Sequence, residues 1–108
     1  MLGGGVPARR RKGAAMVHAI VLLEAERHRI NDLAQELLGL PGVAEVYSVA
    51  GPWDLVAMVR VPSNDEVADL VTGRLLQLEG VRRSETLIAF RTYSRHDLER
   101  MFGVGLDV

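Results

Sequence analysis

The chemistry a sequence can offer gathers here around one short segment, Gly51-Pro52-Trp53-Asp54. Glycine, proline and an aspartate able to bond its own backbone are turn formers, so an ordinary turn explains three of the four residues. A turn does not require tryptophan, and the only one among the 108 residues stands here. An apolar wall beside a carboxylate and backbone amides would suit a small amphiphilic ligand. Asp54 would meet an ammonium group, turn amides a carboxylate, and Trp53 would shape the pocket. Turn and binding site are both open at this level. Ser84 and Thr86, on a strand, have the same parity and point the same way, and β-propensity with edge solvation accounts for their hydroxyls.

Elsewhere catalytic signals are scarce. His18, His28 and His96 show no metal-ligand spacing, and neither a glycine-rich phosphate loop nor a nucleophile elbow occurs. Glu24 and Glu26 read as ordinary solvated acids. No catalytic residue, metal or cofactor is therefore assigned. With no cysteine, the chain cannot form disulfides, iron-sulfur clusters, thiolate zinc sites or cysteine nucleophiles, which fits a reducing cytoplasm. Hydrophobic residues make up 48% and charged residues 25%, the mix of a soluble globular protein. No apolar run approaches the roughly 20 residues of a membrane span.

The elements that must position these residues are announced by a repeat. Leu37-Leu38-Gly39-Leu40-Pro41-Gly42-Val43 returns as Leu75-Leu76-Gln77-Leu78-Glu79-Gly80-Val81, and Val17 to Leu23 returns as Leu55 to Val61 at the same 38-residue offset. Two copies are too few for a solenoid, so the repeat implies two strand-helix-strand halves in one compact unit. The strands at Val17 and Leu55 are apolar on both faces and should be central. Those starting at Val43 and Val81 carry more polar residues and should be edges. Ile30, Leu33, Ala34 and Leu37 give the first helix an apolar stripe, and Val67, Leu70 and Val71, followed by Leu75 and Leu78, give the second. Pro41-Gly42 is expected to end the first helix. Ser63 and Glu66 form a capping box at the start of the second, which Gly73 should weaken in its middle.

Right-handed crossovers then give an α+β fold, the ferredoxin-like βαββαβ sandwich: a four-stranded antiparallel sheet of order 4-1-3-2 with both helices on one face. The other face, with Ile20, Leu22, Val56 and Met58, is left apolar, and a second copy of the same sheet is its expected cover. Ser94 to Phe102 reads as a short C-terminal helix that docks on its own domain or on a neighbouring subunit. Residues 1–15 read as a flexible basic tail, ahead of a single domain over residues 16–108 that starts at or near Met16. Setting Arg9, Arg10, Arg11 and Lys12 aside from the 13 basic residues leaves 9 against 14 acidic ones, a formal charge of −5. A domain of that charge is not built to attract phosphate backbones.

Taken together, Leu-x-x-Leu-Pro-Gly-Val-x-x-Val from Leu37 to Val46, Gly-x-x-Asp from Gly51 to Asp54, Leu-x-x-Leu-x-Gly-Val from Leu75 to Val81, and Ser84-x-Thr86 resemble the effector domain of the leucine-responsive regulatory protein / asparagine regulator (Lrp/AsnC) family. The resemblance spans about Met16 to Phe90. It implies the fold derived above, dimers formed through sheet faces, closure into octamers, and no enzymatic activity. It also implies an amino-acid ligand held between dimers by Gly51, Trp53 and Asp54 with Ser84 and Thr86, in the service of transcription regulation of amino-acid metabolism. Trp53 replaces the smaller aromatic usual in that family, which bears on pocket size. Full-length members carry an N-terminal helix-turn-helix, which residues 1–15 cannot accommodate. The expectation is a stand-alone effector domain that binds no operator itself and partners full-length relatives. The competing expectations are a small dimeric ferredoxin-like enzyme of the antibiotic-biosynthesis monooxygenase type, with His18 as its candidate residue, and a purely structural assembly module.

Overall fold

The structure, a computed structural model, describes residues 16–95. Its elements are β1 (Val17–Ala25), α1 (Ile30–Leu38), β2 (Val43–Ser48), β3 (Leu55–Val61), α2 (Asn64–Gly73) and β4 (Val81–Ala89). Single 3-10 turns precede α1 at Arg27–Arg29 and follow α2 at Leu75–Gln77. The sheet is antiparallel with order β2-β3-β1-β4, which is the expected 4-1-3-2 read from the other edge. The expected tail lies outside the described residues, as does the expected C-terminal helix beyond Arg95.

Alternation in the two central strands decides which face each residue serves. Ala19, Val21, Leu23 and Ala25 of β1 and Leu55, Ala57, Val59 and Val61 of β3 are buried, and they join Leu33 and Leu37 of α1 with Val67, Leu70 and Val71 of α2 in one apolar core. No polar or charged residue is buried among the described residues. The intervening residues form the open face. Register lays them out in rows across the strands: Tyr47, Val56, Leu22 and Glu85 in one, Glu45, Met58, Ile20 and Leu87 in the next.

Two helix boundaries depart from expectation. α1 stops at Leu38, where the N–H of Gly39 donates to the carbonyls of Gln35 and Glu36; Pro41-Gly42 instead makes the turn into β2. Gly73 is the last residue of α2 rather than its middle, and the space where its Cβ would stand is open, so no close approach explains it. At Arg74 the backbone leaves helical geometry, and a 3-10 turn then inserts Leu75 fully into the core. Ser63 caps α2 as expected, its Oγ accepting from the N–H of Glu66 at 3.2 Å.

The repeated turns are alike in detail. Gly42 and Gly80 have φ of +100° and +99°, and each offers its carbonyl to an N–H at the end of the neighbouring central strand, Arg60 and Glu26 respectively, at 2.8 Å.

Candidate functional site

The loop from Val49 to Asp54 joins β2 to β3 and closes through its last residue. The N–H of Asp54 donates to the carbonyl of Leu23 at 2.8 Å, and the N–H of Val49 donates to the carbonyl of Asp54 at 3.0 Å. The Asp54 carboxylate does a third job, accepting through Oδ2 from the N–H of Ala25 at 2.8 Å. The pairing explains why an acid stands here. β3 begins at Leu55 opposite Leu23, so β1 runs past the end of its partner and the Ala25 N–H has no ladder carbonyl to reach. A charged acceptor supplies the missing partner, and does so more strongly than a neutral one would. Among the described residues nothing donates to Oδ1.

Trp53 is half-buried beside this anchor. The guanidinium carbon of Arg83 lies 4.2 Å from the centre of its ring, well within cation–π range. Arg83 is in turn tied to Glu24, its Nε donating to Oε1 at 3.1 Å. Glu24 and Arg83 are register partners in β1 and β4, next to the irregularity that shifts β4 pairing between Glu24 and Ala25. The cluster is therefore Asp54 from the loop, Glu24 and Ala25 from the end of β1, Arg83 from β4, and Trp53 across the guanidinium. Gly51 sits at φ +129° with no heavy atom within 4 Å of the place its Cβ would occupy, so the loop tip is open.

The five expected site residues do not all meet. Gly51, Trp53 and Asp54 share the loop. Ser84 and Thr86 do point the same way, but their register partners are Leu23 and Val21, which places them on the helix-covered face. Arg83 and Glu24 belong to the open face, so within one chain the hydroxyls and the Trp53–Arg83 stack lie on opposite sides of the sheet. By sequence, Glu24 reads as solvated charge and Arg83 as edge charge. They stand 59 residues apart, and only the β1–β4 register makes them neighbours.

A second polar knot lies close by. Arg29, with 17% of its side chain exposed, donates from Nη2 to Glu36 at 3.0 Å, from Nη1 to Asp32 at 3.3 Å and from Nε to the carbonyl of Glu79 at 3.2 Å. The hydrogen bond to Glu36 raises the Arg29 pKa above its already high ordinary value, so the knot holds a permanent cation. A groove of about 220 Å³ lies at the far end of the sheet, lined by Pro41, Val61, Glu66, Asp69, Leu70 and Arg74, away from the loop. Among the described residues no three acidic or histidine side chains group closely enough to hold a metal ion, and no helix is long and apolar enough to cross a membrane.

Comparison with known proteins places this geometry. Residues 18–98 match the family model described as the Lrp/AsnC ligand binding domain. An uncharacterized HTH-type transcriptional regulator of Pyrococcus horikoshii is 36% identical over 61 residues, 56% of this chain and 41% of the regulator, so the match spans less than half of that relative's length. A protein of Thermus thermophilus of known crystal structure superposes with a TM-score of 0.69 at 51% identity, over 73% of this chain and 99% of its own. A feast or famine regulatory protein from M. tuberculosis, whose structure is a complex with L-methionine, superposes with a TM-score of 0.62 at 30% identity over 73% of this chain and 54% of that one.

Proposed function

The chain belongs to the Lrp/AsnC ligand-binding domain family, and from that premise we propose that it binds an amino acid or a close relative at the Gly51–Asp54 loop, works as an oligomer, and so modulates transcription regulation of amino-acid metabolism. The observation that carries this reading is the state of Asp54. Backbone and side-chain bonds fix its position at three points, yet one carboxylate oxygen is left without a partner among the described residues. A carboxylate held rigidly with spare acceptor capacity beside an aromatic ring is suited to an ammonium group. The M. tuberculosis relative with L-methionine bound supports the ligand class. Ser84 and Thr86, on the helix-covered side of an edge strand, complete a site from a neighbouring copy rather than from the same chain.

Oligomerisation follows from the open sheet face. Ile20, Leu22, Val56 and Met58 are only half-buried there, with Leu87 and Tyr47 exposed in the same rows. A contiguous apolar patch bordered by charge is suited to a copy of itself across a two-fold axis. Met58→Glu should yield monomers where the parent protein sediments as a dimer or larger ring. A parent that sediments as a monomer removes this part of the reading.

Binding is tested by thermal shift against the twenty L-amino acids at millimolar concentration. A ligand at a hundred times its dissociation constant stabilises the folded state by about 2.7 kcal/mol. Asp54→Asn keeps an oxygen for the Ala25 N–H and removes the charge, so it should melt close to the parent and lose the ligand-induced shift. An undiminished shift in that variant would show that Asp54 does not bind the ammonium group.

A further inference from the structure

Arg83 offers more than its two contacts use. A guanidinium carries five N–H donors in a planar fork. Here Nε alone is engaged, by Glu24, and one flat side lies on Trp53. Among the described residues nothing accepts from Nη1 or Nη2, and 57% of the side chain is exposed. The end-on edge of the fork, the edge that matches a carboxylate with two parallel hydrogen bonds, is thus presented to solvent.

Its place relative to Asp54 gives that edge a meaning. The end of β1 is flanked on one side by β4, from which Arg83 reaches Glu24, and on the other by the loop, from which Asp54 reaches Ala25. Consecutive residues of β1 therefore carry a cation on one side and an anion on the other, with Trp53 beside both. An α-amino acid is a zwitterion with its two charges on adjacent carbons, and this arrangement offers each charge its complement.

We infer that Arg83 is the carboxylate-binding residue of the loop site, its Nη1–Nη2 edge taking the ligand's α-carboxylate while the ammonium group faces Asp54. The inference rests on the amino-acid reading above and adds to it the residue that reads the acid group, a task turn amides alone would otherwise carry. Stacking on Trp53 and the bond to Glu24 hold the guanidinium in one orientation before ligand arrives, so little side-chain freedom is lost on binding.

The test uses the single tryptophan as its own reporter. Trp53 fluorescence and calorimetry are recorded with the twenty L-amino acids and with their α-carboxamides, which keep the ammonium group and lack the carboxylate. The parent should prefer the free acid over its amide by about ten- to a hundredfold, the range of a charge-assisted bidentate contact. Arg83→Gln should bring acid and amide within a few-fold of each other, the acid losing far more affinity than the amide, whereas a merely structural role for Arg83 would weaken both alike. Arg83→Lys should keep part of the preference, since it keeps the charge and loses the fork. If Arg83→Gln retains the full preference for the acid, the assignment of Arg83 is wrong and amino-acid binding stands. If the parent binds none of the forty compounds, the amino-acid reading fails and this inference with it.

Discussion

The two ends of the sheet are built by the same repeat and have diverged in what they hold. At one end Gly42 turns the chain beside the close of β3; at the other Gly80 does so beside the close of β1. The backbone is nearly the same in both, but the side chains around it are not. At the Gly80 end, Arg29 bonds the carbonyl of Glu79 and the carboxylates of Asp32 and Glu36. By the offsets between the strands and between the helices, Pro41, Glu66 and Leu70 occupy the corresponding positions at the Gly42 end, and they line the 220 Å³ groove. Asp54, Glu24 and Arg83 add further polar links at the Gly80 end. The duplicated backbone thus supplies the scaffold twice, while linked polar contacts gather at one end and the other keeps an open groove.

The largest test of that comparison is at the two turn glycines. A Cβ on Gly42 would stand 2.7 Å from Cγ1 of buried Val61, a β-branched side chain stiff at its one rotatable bond. Gly42→Ala should cost about 2 to 5 kcal/mol, combining the positive φ with overpacking. At Gly80 the added methyl would stand 2.8 Å from Cβ of Arg29, an atom held in place by its own backbone, and 2.9 Å from Cγ. Gly80→Ala should therefore also cost about 2 to 5 kcal/mol, and it should displace Arg29 from the Glu79 carbonyl and Glu36 as well. Urea unfolding of the two variants compares them directly, and a loss under about 1 kcal/mol at either turn would refute its close packing. Next in size is Asp54→Ala, which strands the Ala25 N–H and should cost about 1 to 3 kcal/mol in the same assay. Gly51→Ala meets no atom and pays only for its positive φ, about 1 kcal/mol. The smallest effect lies at the β2 edge of the open face, where the Tyr47 hydroxyl donates to Glu45 at 2.8 Å and that bond raises the phenol pKa above its ordinary value. The contact is present below the ordinary phenol pKa and is lost as pH rises through the raised one. Ultraviolet titration should show Tyr47 ionising late, and Glu45→Gln should bring its midpoint down.

Much of the scaffold was legible without coordinates. Alternation in Val17–Ala25 and Leu55–Val61 sorted the residues into two faces, because side chains on a strand alternate whatever surrounds them, and His18 and Arg60 marked the more polar face as the open one. Helix ends were less legible. Proline and glycine at 41 and 42 mark a turn, but α1 had already closed at Gly39, whose right-handed φ of −80° makes no use of the freedom by which glycine usually stops a helix. Of the site, Trp53 and Asp54 were visible as residues out of proportion to a plain turn. The third duty of Asp54 was not, because it depends on β1 outrunning β3.

The sequence by itself determined the two-fold repeat, the order of elements and the apolar faces, and these follow from periodicity and local backbone preference. Tertiary structure alone decided which charges are neighbours. It set Glu24 against Arg83, laid Arg83 on Trp53, and sent Ser84 and Thr86 to the opposite face. The physical reason is register: a strand's alternation is written in its own residues, but the partner each residue faces is fixed only when two distant strands lock together, and a shift of one residue would exchange every face.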